Sequence, residues 1–168
     1  MRSVLPAALA LLASPGLAQQ VADCDEPPLV TALIEPWEET TATLGSGALR
    51  LALLQGEPGE EVRLLVLSLP PMEVPPEREE TGSAPAEAPP PAEKHCRIVT
   101  EGGAGFAVLD VVGEVTEDPE ARTLTARLPA LRFIPESSEL EEVTLVLTFG
   151  VTDDSLAATV EVPAPAVP

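Results

Sequence analysis

Tyrosine and asparagine are absent from this chain, histidine and tryptophan each occur once, and cysteine twice. One histidine excludes a metal site built from several imidazoles. Soft-metal carriage would need histidine or methionine clusters, and beyond Met1 the only methionine is Met72. Neither a metal nor a cofactor is expected. Aromatic residues make up 2% of the chain, too few for the stacked platforms of a sugar-binding cleft. Positive charge is also scarce. Nine Lys and Arg residues stand against 28 Asp and Glu, a formal net charge of −19. Such a chain repels nucleic acid and anionic lipid, so no nucleic-acid partner is expected. After the first 18 residues there is no apolar run long enough to cross a bilayer, hence no transmembrane segment.

Catalytic signatures are missing as well. There is no GxSxG elbow for a serine nucleophile. GGAG at 102–105 lacks a lysine and runs into strand-like sequence. Phosphate loops run into a helix, so this one reads as a tight turn. His95 and Cys96 are neighbours, but adjacent strand residues point to opposite faces, the wrong geometry for a base and its thiol.

What is present begins with an export signal. Residues 1–18, MRSVLPAALALLASPGLA, place Arg2 before a short apolar core and end on Gly16 and Ala18, a small-x-small site for cleavage before Gln19. VADC at Val21–Cys24 resembles a lipoprotein cleavage box, which would put a lipid on Cys24, but Asp23 stands where such a box carries a small residue. Cleavage after Ala18 removes one base and no acid, leaving 8 against 28 and a net charge of −20. Lys94 is the only lysine, whereas alanine, proline, leucine and arginine abound. That bias points to a GC-rich bacterial genome, and export then points to the periplasm or the outside.

The two cysteines, Cys24 and Cys96, are expected to form a disulfide in an oxidising compartment. Between them lies an insert at 70–93 with eight prolines and six glutamates, composition too poor in apolar residues to offset ordering entropy. The expected organisation is therefore a signal peptide at 1–18, one β domain at 19–162 interrupted by a disordered Pro/Glu-rich insert at 70–93, and a flexible tail at 163–168.

Gly47–Leu69 is the centre of the pattern. Leu49, Leu51 and Leu53 share one face of a period-two run, and a second run, Val62–Leu69, is apolar on both faces. GEPGEE separates them, so the stretch predicts a central β-hairpin, with helix as the competing reading. Leu29–Ile34 predicts a strand ended by Pro36, and the threonines after Trp37 favour another. Cys96–Thr100 and Phe106–Val112 follow, the latter with Phe106, Val108 and Val112 on one side. Thr123–Leu128, LRFIP and Val143–Phe149 alternate or run apolar, and Leu156–Val162 closes a terminal hairpin. These short strands with frequent turn signals predict an all-β antiparallel sandwich of about eight strands, with a small barrel as the alternative.

Two groups of residues merit chemical scrutiny. The acid clusters Asp23–Glu26, Glu117–Glu120 and Asp153–Asp154 could offer hard oxygens to calcium, but none has the spacing of a calcium loop. Trp37, set among acids in PWEE, is a candidate contact residue, with a plug at the sandwich edge as the competing role.

IEPWEETTATLGSGALRLALL, followed by LLVLSLPP, HCRIV and GFAVLD, resembles small exported proteins of alphaproteobacteria with no assigned function. The resemblance covers residues 30–69 and 94–160. It implies export and carries no functional residues. The expected role is a non-enzymatic binding or accessory module for another, unidentified envelope component. The alternatives are a carboxylate-dependent enzyme acting on glycans and a calcium-dependent adhesion module. Oligomeric state is not legible in the sequence.

Overall fold

The structure, a computed structural model, describes residues 20–56, 61–69, 94–102 and 105–163. The expected leader, the insert at 70–93, the middle of GEPGEE and the end of the tail lie outside them. Among the described residues are ten strands: β1 Gln20–Asp23, β2 Thr41–Leu44, β3 Leu49–Gln55, β4 Val62–Ser68, β5 His95–Thr100, β6 Val108–Leu109, β7 Glu114–Asp118, β8 Thr123–Ile134, β9 Glu139–Gly150 and β10 Leu156–Glu161. They form two five-stranded antiparallel sheets that do not close into a barrel. The first runs β1-β5-β4-β3-β2 and the second β10-β9-β8, with both β6 and β7 paired to β8.

The central hairpin forms as expected, β3 against β4 from Leu49 opposite Ser68 to Gln55 opposite Val62. Its inward face, Leu49, Leu51, Leu53, Leu64 and Val66, joins Val99 of β5. Across the sandwich stand Leu124, Ala126 and Leu128 of β8 with Val143, Leu145, Leu147 and Phe149 of β9. Each such leucine, removed from water, contributes roughly 1.5–3 kcal/mol.

The sequence expectation splits β8 at Pro129, yet the strand runs through it. Asp110 N–H donates to Pro129 C=O at 3.0 Å, so the backbone polar groups of Pro129 face the β6–β7 side. Val108–Leu109 and Glu114–Asp118 pair on either side of that point and leave a gap. The N–H that proline lacks would have pointed into the gap, so no ladder bond is lost.

Three other expectations change. Leu29–Ile34 is not a strand: Val30–Ala32 is a single 3-10 turn and Leu33 makes one bridge to Leu54. The segment begins at Cys24, whose N–H bonds Cys96 on β5, and ends on β3. It therefore crosses the outer face of the first sheet instead of pairing along it. Trp37–Thr40 is one helical turn, α1, before β2 starts. Glu38 and Glu39 suit its N-terminal end, and the Thr41 hydroxyl donates to the Trp37 carbonyl at 2.7 Å.

Phe106–Val112 does not hold one alternation. Phe106, Leu109 and Val111 are buried, while Val108 and Val112 are exposed. Phe106 exchanges backbone bonds with Val62 of the first sheet, and Ala107 N–H bonds Leu131 of the second. The chain changes sheets at this point, which resets the face count. β7, whose residues are all exposed, carries no buried alternation that sequence could reveal.

Gly45 shows what a local clash should cost. Its φ is +57°, and a Cβ there would stand 2.7 Å from Leu124 Cδ1. Gly45→Ala should lose about 2 kcal/mol in urea unfolding, combining left-handed strain with a displaced core leucine.

Candidate functional site

Cys24 and Cys96 form the expected disulfide, with Cα atoms 5.4 Å apart. Both face away from the core. Cys96 stands opposite Leu67, on the face shared by Ile98 and Leu65. His95, one residue earlier, faces inward opposite Ser68. The two neighbours thus lie on opposite faces, and the oxidised Cys96 is no nucleophile.

His95 takes part in a cluster that joins the sheets. Its Nδ1 is bonded to Asp154 Oδ2, and the same oxygen accepts from Arg97 Nη2. Asp154 comes from the turn between β9 and β10, where its φ of +55° turns it toward the first sheet. It is 8% exposed. Burial opposes its charge. The Ser68 hydroxyl, His95 and Arg97 together outweigh burial and hold the carboxyl below its ordinary range. Ser68 Oγ is close enough to favour the ionised form but lies outside hydrogen-bond geometry, and Asp154 Oδ1 likewise has no partner.

In a nucleophilic triad the histidine stands between acid and serine. Here the acid is the hub. The arrangement ties the end of the β9–β10 hairpin to β5, beside Ser68 of β4, and leaves the serine without a base. It is an electrostatic latch. Asp153, next to it, is committed locally: Oδ1 accepts the Ser155 hydroxyl at 2.8 Å and its N–H at 3.2 Å. The hydroxyl bond is the main reason that its carboxyl titrates below the usual value.

A second cross-sheet cluster is centred on Arg132. It bonds Glu141 through Nε at 2.7 Å and buried Glu101 through Nη1 at 3.1 Å. Burial would lower the guanidinium pKa, but the Glu141 and Glu101 bonds raise it on balance. Asp118 accepts the backbone N–H groups of Glu120 and Ala121, both at 2.9 Å, so it caps its own turn. Among the described residues no group of three or more His, Cys, Asp or Glu could hold a metal ion. No helix among them is long and apolar enough to cross a membrane.

The outer face of the first sheet holds a cleft of about 500 Å³ beneath the crossing segment. Leu54, Ile98 and Arg63 line it from the sheet, and Glu26, Leu29 and Ala32 from the segment above. Above it the chain presents apolar residues to solvent, Leu29 at 74% and Val30 at 68% exposure. Trp37, on the same stretch, is 51% exposed and so does not serve as a core plug. Phe133 is also partly exposed, unlike Phe106 and Phe149. The sequence pointed to Trp37, His95 and, within an acid cluster, Asp154, but not to the pairing of Asp154 with His95 and Arg97, nor to Arg63. Asp154 meets His95 across 59 residues, and Arg63 sits in an apolar run where a lone arginine carries no local signal.

No family model, no curated protein and no solved structure matches this chain.

Proposed function

We propose that this protein is an exported, non-enzymatic binding or accessory module of the bacterial envelope, working in the periplasm. Export is supported by the leader-like sequence at 1–18, the resemblance to small exported alphaproteobacterial proteins, and a disulfide of the kind that persists in oxidising compartments. The observation that carries the binding role is the crossing segment. Leu29, Val30 and Trp37 present three large apolar side chains to solvent on one short stretch of chain. Exposed apolar residues grouped in this way mark contact surfaces.

The test is capture from envelope extract by the oxidised mature protein, beside a Leu29→Ser, Trp37→Ala variant. A species held by the parent and lost by the variant is the expected result. Both side chains are exposed, so the variant should unfold within about 0.5 kcal/mol of the parent. Equal capture by both proteins, or no captured species, would overturn the proposal.

A further inference from the structure

We infer that the cleft beneath the crossing segment binds a small monocarboxylate with an apolar stem, anchored on Arg63. The inference rests on the binding-module reading and names the ligand class.

The chain carries 28 acids and nine Lys and Arg, so a carboxylate partner is the ordinary fate of a shielded cation. Arg97 pairs with Asp154, Arg132 with Glu101 and Glu141, and Arg127 with Glu161. Arg50, Lys94 and Arg122 make no ion pair but are exposed to water. Arg63 alone among the described basic residues is both shielded and unpaired, and its Nε is buried with no acceptor. A buried donor without an acceptor is costly, more so on a charged group. The acceptor this site lacks is an anion from outside the chain.

Its position fits that role. Arg63 is opposite Leu54 in the β3–β4 register, on the face turned away from the core. The cleft around it is lined by Leu54 and Ile98 below and by Leu29 and Ala32 above. Its size falls within the range of small-molecule sites. A carboxylate on the guanidinium would make charge-assisted hydrogen bonds, and the apolar walls would take an alkyl or aryl stem. Glu26, the other charged group lining the cleft, repels a second negative charge. That selects monocarboxylates over dicarboxylates.

The experiment is an amide chemical-shift titration of the oxidised mature protein with hexanoate, hexanamide and adipate. Hexanoate should give saturable shifts at Leu54, Arg63 and Ile98. Hexanamide and adipate should bind at least about tenfold more weakly. Arg63→Gln should reduce hexanoate to the level of hexanamide. Equal binding of hexanoate and hexanamide to the parent protein overturns carboxylate recognition, and this comparison needs no variant to fold. So does the lack of saturable shifts at up to about 10 mM ligand, where millimolar affinity would already register. If these fail while capture still depends on Leu29 and Trp37, the ligand class is wrong and the binding module stands. If capture fails while hexanoate binds as expected, the partner-binding role falls and the ligand site remains.

Discussion

Replacing Cys24 and Cys96 by alanine should lower stability by about 4 kcal/mol and the thermal midpoint by roughly 10 °C. The estimate follows from a separation of 72 residues between the bridged cysteines. Cross-linking a loop of that length removes a large share of the unfolded chain's freedom. The native state should also suffer locally. β1 is a four-residue edge strand paired only to β5, and the bridge follows directly at its end. Without it β1 should fray first, uncovering the core side that Val21 packs against. Urea unfolding of the oxidised protein beside the double variant measures the effect. A difference below about 1 kcal/mol would mean that the bridge adds little constraint to the denatured chain.

Asp154→Asn is expected to cost about 3 kcal/mol at neutral pH, because Arg97 loses its shielded anion and keeps only the exposed Asp23, 3.7 Å away. Asparagine tolerates the left-handed backbone of this position, so the change reports on charge and not on strain. The pH dependence has a definite sign. A carboxyl whose folded pKa lies below its unfolded value contributes stability in full above the unfolded value and loses it as pH falls through the folded one. The Asp154 contribution should thus be complete above pH 3.8, the ordinary value, and disappear on further acidification. Unfolding free energies of parent and variant should converge there. Parallel curves down to the acid limit would show that the fold does not shift the Asp154 carboxyl.

The parts of the fold legible in sequence are those where one strand face meets the core and the other meets water. Val143–Phe149 and Leu156–Glu161 show this directly: a two-residue period fixes both the strand and its buried side. The Cys24–Cys96 pair was legible because two cysteines allow only one bridge within the chain. What escaped was set by the chain's route. Leu29 and Val30 look like strand residues, but Pro27 and Pro28 precede them and the segment lies across the sheet. Phe106 and Leu109 face the same core from different sheets, which no single alternation can describe. The latch joins His95 and Arg97 of one stretch to Asp154 of another, and only tertiary pairing brings them together.

The pairing of Ser68 with His95 has a practical corollary. Leu69 and Lys94 flank two strands that are already zipped together from Leu64 opposite Val99 to that pair. Whatever span joins Leu69 to Lys94 starts and finishes at neighbouring points. Doubling such a span adds only about 0.6 kcal/mol of closure entropy. The edge between β4 and β5 is accordingly a splice point, where a peptide epitope or a reporter domain could be grafted without asking either sheet to rearrange.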